Sequence, residues 1–164
     1  MRVGAQIDIS APPEAVWAFV EDADRQLHFW SGVTRWEVCG EQRSGLGTRI
    51  RVLLRVGSAE VGGLVEIVEH DPPRELSWTS ITGADQRGRW RIRPRGAART
   101  HVELRLAYGV AGSGVFGWVA EQVAAPQIRG HLRRTLQQLK RQVEHEQLRV
   151  AAARRREPRG GTPV

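Results

Sequence analysis

One cysteine, Cys39, and one lysine, Lys140, stand among 164 residues. A lone cysteine excludes an intrachain disulfide and is consistent with a cytoplasmic location, which is the expectation. No apolar run approaches the ~20 residues of a membrane span. The opening MRVGAQIDIS lacks the apolar core of a secretory signal. There is no HExxH and no clustered Cys/His spacing, so neither a metal site nor a cofactor is expected. Gly45-Leu46-Gly47 contains no GK[ST] and precedes a strand pattern, which excludes a phosphate cradle. Neither Ser80 nor Tyr108 has an evident partner base, so catalytic residues stay unassigned. No internal repeat is visible.

What is abundant is arginine. The formal net charge is +7, and 24 of the 25 basic residues are Arg. That bias suggests a GC-rich bacterial genome, an inference about codons. Four arginines against one glutamate lie between Arg154 and Val164. The segment 151–164 has no apolar periodicity and ends in Gly and Pro, so it is expected to be a disordered basic tail. Residues 1–150 then form one domain of ordinary globular composition.

Alternation dominates the middle of the chain. Gln6–Ser10 is a short expected strand, and Pro12-Pro13-Glu14 opens a helix with Val16, Phe19 and Val20 on one face. Asp22 and Asp24 can cap a second short helix ending near Trp30. Strands are expected at Thr34–Cys39, Thr48–Val56, about 61–67, about 76–80, Arg87–Arg95 and about 102–108. Gly57-Ser58 supplies a hairpin turn. In the sixth strand Arg87, Arg89, Arg91, Arg93 and Arg95 face one way, while Gly88, Trp90, Ile92 and Pro94 face the other. From Val115 the period turns helical. Val115, Phe116, Val119 and Val123 form one stripe; Leu132, Leu136, Leu139 and Val143 form another, half a turn out of phase. Pro126 lies between them and predicts a kink or short break near 124–127.

This order carries a geometric consequence. Seven strands about 4.8 Å apart span roughly 34 Å, whereas one helix is only about 10–12 Å across. The sheet must curl, fill the gap with bulky side chains, or leave space. Inward-facing Gly63, Ser80 and Gly88 favour space; Trp78, Trp90 and Tyr108 favour partial filling. A curled sheet with an apolar interior suits an apolar ligand.

The segments IDISAPPEAVWAFVEDADR, HFWSGV, GLGTRIRV, VEHDPPRELSW and PQIRGHLRRTLQQLK carry a family likeness. Over residues 3–147 the chain resembles the START-related SRPBCC superfamily, nearest its polyketide cyclase/dehydrase and lipid-transport group. The resemblance implies an α+β helix-grip fold. In it a curved antiparallel seven-stranded sheet wraps a long C-terminal helix, with two short helices after the first strand. It also implies a deep hydrophobic cavity that takes lipids, polyketides, sterols or other apolar molecules. Aromatase/cyclase members hold extra polar residues there, and no matching set maps onto this sequence.

The expected function is therefore non-covalent binding or transport of a hydrophobic small molecule. The expected wall is Val52, Leu54, Val65, Ile67, Trp78, Ser80, Trp90, Tyr108, Phe116, Val119 and Val123. Residues 112–125, bracketed by glycines and Pro126, are the expected moving gate. The enzymatic alternative is a polyketide cyclase, aromatase or dehydratase in which Ser80, Tyr108 or His28 assists proton transfer. The arginine comb suggests a third class, partner binding through Arg89 and Arg91. Trp90 projects from the opposite face, so the aromatic stacking that single-strand binders place beside their charges is missing, and nucleic acid is not the expected partner. Glu60, Glu66 and Glu103 are the expected counter-charges.

Overall fold

A computed structural model describes the backbone of residues 1–109 and 115–157, with side chains except those of 115–121. The elements are β1 (Arg2–Ile9), α1 (Pro13–Glu21), α2 (Ala23–Phe29), β2 (Val33–Cys39), β3 (Arg49–Val56), β4 (Ala59–Asp71), β5 (Glu75–Gly83), β6 (Gln86–Pro94), β7 (Thr100–Tyr108) and α3 (Val115–Arg156). The seven strands form one sheet in the order β1-β7-β6-β5-β4-β3-β2. Every neighbouring pair is antiparallel. This is the expected helix-grip, START-like architecture.

Local chemistry explains the short elements. Pro13 sits in the first turn of α1, where its missing N–H costs nothing, and Glu14 favours the same turn. Asp22 caps α2 by accepting from the amides of Asp24 (2.9 Å) and Arg25 (3.3 Å). Gly57, with φ of 62°, turns the β3–β4 hairpin in a conformation other residues resist. β1 begins four residues earlier than expected because it pairs with β7 along its whole length, from Arg2↔Ala107 to Ile9↔Thr100.

The helix α3 packs chiefly on β1. Its stripe of Leu132, Leu136, Leu139 and Val143 is buried, as are Ile9, Val102, Leu104 and Ile92 on the sheet. Glu144 accepts from the Ser10 amide at 2.9 Å, and Lys140 donates to the Asp8 carbonyl at 3.1 Å, fastening the end of β1 to the helix.

Two expectations about α3 are corrected. The helix is unbroken through Pro126. Pro126 and Gln122, whose carbonyl loses its helical partner, both lie on the exposed side, so water can satisfy the freed group. The helix also runs to Arg156, into the stretch 151–164 expected to be disordered. Residues 158–164 lie outside the described residues. So do the side chains of Phe116 and Val119 and most of the expected gate.

Candidate functional site

Inward-facing positions along β3, β4 and β7 define a trough with two consecutive spaces. The inner space is lined by Leu54 and Val52 on β3, Val65 and Ile67 on β4, Trp78 on β5, and Leu106 on β7. Trp30, Trp36, Gln26 and Gln86 complete its wall. The outer space begins one same-face step further along the strands. Val56 follows Leu54, and Tyr108 follows Leu106, on the side-chain period of two. Val61, Gly83, Asp85, Val123, Ala124 and Ile128 form the rest of this outer cleft.

The two spaces differ in size. The outer cleft measures about 940 Å³ and opens to solvent. The inner chamber holds about 40 Å³. One water-sized sphere needs roughly 10–15 Å³, so the chamber in this conformation admits only a few waters. Ligand pockets typically measure ~300–1,000 Å³.

Tryptophans account for the difference. Trp30, at the end of α2, stands at the centre of an indole cluster. It stacks on Trp36 (centroids 6.2 Å, 26° between planes) and meets Trp78 and Trp90 edge-on at 6.1 and 5.8 Å. Each such contact contributes about 0.5–1.5 kcal/mol beyond burial. The indole of Trp78 also occupies the place a side chain at Gly88 would take. Gly63 lies flush against the Thr82 carbonyl and Gly83. These glycines therefore permit close approach; they do not leave room, which corrects the inference drawn from them.

The expected wall residues separate into groups. Val52, Leu54, Val65, Ile67 and Trp78 line the inner chamber. Tyr108 and Val123 line the outer cleft. Trp90 is fully buried against Phe29 and Trp30 and lines neither space. Ser80 is engaged at the β5–β6 turn, accepting from the Gln86 amide (3.1 Å) and donating to Asp85 (3.4 Å). Tyr108 donates to Met1 Sδ at 3.0 Å. His28 is exposed in a separate groove with Gln142, His145 and Glu146, so it is not near the trough. Trp36 was omitted from the expected wall, although Trp36 and Val38 alternate with Arg35 and Glu37 in the manner of a half-buried strand. Gln26 had no comparable signal. Its burial follows from bridging the Val20 carbonyl (2.5 Å) and Trp30 Nε1 (2.9 Å).

His131, on α3, is half-buried beside the trough. Its Nε2 lies 3.1 Å from the Arg55 carbonyl, and its Nδ1 lies 3.3 Å from Ser31 Oγ and 3.1 Å from Arg134 Nη2. A neutral ring donating from Nε2 fits both sides. Burial first, and the Arg134 charge second, hold its pKa below the ordinary histidine value. The Ser31 amide also donates to Thr135 Oγ1 at 3.0 Å. These bonds tie the Trp30–Gly32 segment to α3.

On the outer face, Glu75 accepts from Arg89 and, at 2.9 Å, from Arg91. The Arg89 hydrogen bond is the main cause that keeps the Glu75 carboxyl below its ordinary range, with Arg91 assisting. Glu66 pairs with Arg49 at 3.1 Å, Glu60 with Arg55 at 3.9 Å and Glu103 with Arg105 at 2.5 Å. Glu103 lies opposite Arg91 in register, yet its ion pair is with Arg105. The principal counter-charge of the comb is Glu75, which sequence reading did not single out.

Among the described residues, no cluster of His, Cys, Asp or Glu is placed to hold a metal ion, and no helix is long and apolar enough to cross a membrane.

Comparison with known proteins follows the same geometry. The family model for polyketide cyclase/dehydrase and lipid transport matches residues 1–144. No curated protein matches the chain. Among solved structures, a Thermus thermophilus protein is 25% identical with a TM-score of 0.77, covering 89% of this chain and 99% of that one. A START superfamily protein from Mycobacterium smegmatis shares the fold at 14% identity and TM-score 0.66, covering 88% of this chain and 97% of that one. The di-domain ARO/CYC BexL of the BE-7585A biosynthetic pathway is 21% identical with TM-score 0.61. That match covers 88% of this chain and 46% of the other.

Proposed function

The chain belongs to the polyketide cyclase/dehydrase and lipid-transport family, and from that premise we propose that it binds a hydrophobic small molecule, lipid or polyketide-like, non-covalently in the trough. One observation carries this reading. An open cleft of about 940 Å³ neighbours an apolar chamber walled in part by indoles, their lining residues one same-face step apart on β3 and β7. Val61 and Val123 remain 43% and 61% exposed at its mouth. A ligand covering them removes apolar surface from water at about 25 cal/mol per Å².

The narrowness of the inner chamber assigns a role to Trp30. A ligand larger than a few waters enters only if an indole moves. Trp30 sits on the short connection between α2 and β2, held to α3 by the bonds of Ser31. Its displacement opens the chamber without disturbing the sheet ladder. Native mass spectrometry of gently purified protein tests the proposal. A retained apolar molecule of defined mass is expected. Protein that emerges empty, and that binds no naphthalene-sized probe in equilibrium dialysis, contradicts it.

A second reading, turnover of a polyketide-like substrate, is favoured by one feature. Asp85 and Tyr108 line the outer cleft, and Ser80 bonds to Asp85. The hydroxyls of Ser80 and Tyr108 are committed to internal hydrogen bonds, and His28 is elsewhere, so binding is the stronger reading. Replacing Ser80 by Ala and Tyr108 by Phe spares ligand retention under the first reading and abolishes turnover under the second.

A further inference from the structure

The outer face of the sheet carries a groove whose charge is not answered within the groove. It measures about 810 Å³ and is lined by Arg2 of β1, Arg105 of β7, and Arg87 and Arg89 of β6. Among its lining residues there is no Asp or Glu. The four arginines alternate with Val3, Leu106, Gly88 and Trp90, all of them buried. Their side chains therefore project from the face opposite the trough.

Strand register accounts for the clustering. Arg105 stands directly opposite Arg89, a like-charge placement that costs stability. Each of these two has an acid beyond the groove: Arg89 donates to Glu75, and Arg105 donates to Glu103 at 2.5 Å. Arg91 is also held by Glu75, at 2.9 Å. Arg2 and Arg87 differ. Both are exposed, and neither makes an ion pair among the described residues. Both are in register with Ala107, which lies between them on the intervening strand. Two strand spacings put their Cα atoms about 10 Å apart. A methyl group fills little of that gap, so two long arginine side chains can meet above it.

A guanidinium fork matches the paired oxygens of a carboxylate or a phosphate. One carboxylate satisfies one fork. Two uncompensated forks over a single small residue, with two half-neutralised arginines beside them, match a compact group that carries several negative charges. We propose that this groove is an anion site for a multiply charged phosphate, with Arg2 and Arg87 as the groups that hold it. The groove and the trough lie on opposite faces of the sheet, so the inference stands apart from the hydrophobic ligand proposed above. It also moves partner binding by the arginine comb from Arg89 and Arg91, which Glu75 engages, to Arg2 and Arg87.

Inorganic tripolyphosphate tests the inference, titrated calorimetrically into the whole chain at constant ionic strength. Arg2→Gln and Arg87→Gln should each weaken binding about fivefold, the upper worth of an exposed charge pair. The double variant should lose about twenty-fivefold. Neither substitution breaks an ion pair among the described residues, so the double variant should keep the urea midpoint of the wild type. Arg141→Gln removes the same charge from an exposed position on α3 and should change affinity by less than about twofold. Phosphatidylcholine vesicles doped with phosphatidic acid separate two sources of the same chemistry. Sedimentation with them that needs Arg2 and Arg87 assigns the phosphate to a lipid headgroup. Tripolyphosphate binding without such sedimentation assigns it to a soluble ligand. No binding of tripolyphosphate to the wild type overturns the inference, and so does a loss in Arg141→Gln equal to the loss in Arg87→Gln.

Discussion

The two ends of the sheet-and-helix sandwich are built from similar residues and reach different outcomes. Where α3 meets β1, Leu132, Leu136, Leu139 and Val143 are buried against a sheet face whose Ile9, Val102 and Leu104 are buried too. At the trough, Val52, Leu54, Val56, Trp36 and Trp78 point inward and stay half-exposed. Apolar alternation is the same in both regions. The difference is what lies opposite, a helix stripe in one and a few indoles with an open cleft in the other. The division proposed is that the helix-covered β1 end holds more of the stability, and the β3–β5 end the space for a ligand.

Substitutions can break this division. Leu136→Ala should cost about 4 kcal/mol, because a fully buried leucine leaves a cavity. Leu54→Ala should cost less than about half of that, since the side chain is already half-exposed. Urea denaturation measures both, and equal losses would erase the proposed division. Trp30→Ala comes next. It removes the centre of the indole cluster, so about 3 kcal/mol of stability should go while the chamber enlarges and methyl naphthyl ketone binds more tightly. Weaker probe binding in that variant would show that Trp30 is a contact and not an obstruction.

Smaller effects are electrostatic. Glu75 has a lowered native pKa, so the stability it lends is full above its unfolded value and disappears as pH falls through the native one. Wild type should therefore lose stability across the acidic carboxylate range more steeply than Glu75→Gln, as read by denaturation at a series of pH values. Parallel profiles would mean that the arginine pairs contribute nothing, as exposed pairs often do. His131 should give the smallest change. Its native pKa is lowered, so the unfolded chain binds more protons and stability falls as pH drops through the ordinary histidine range. His131→Gln should flatten that slope, and an unchanged slope would assign it to other groups.

Much of the fold was legible because its signals are periodic. Alternation located all seven strands, Pro13 and Asp22 marked the short helices, and the leucines of α3 predicted its docked stripe. Part of the candidate chamber's lining was equally plain: Val52, Leu54, Val65, Ile67 and Trp78 face inward by the same period. What escaped was pairing and volume. Glu75 reaches Arg89 and Arg91 through strand register, which composition does not encode. Trp30 ends a short helix, where no period announces its face. The glycines at 63 and 88 suggested space from missing side chains, yet close strands and the Trp78 ring take it up. Pro126 suggested a break, but its exposed position makes an unbroken helix tolerable.

The indole N–H signals of the tryptophans test the central claim most directly, because Trp30, Trp36 and Trp78 line the chamber while Trp17 packs elsewhere, against His70 and bonded to Glu21. Titrating methyl naphthyl ketone into isotopically labelled protein should move the first three resonances and leave Trp17 unchanged. Shifts confined to Trp17, or none at the three chamber indoles under saturating probe, would contradict a ligand site in the trough.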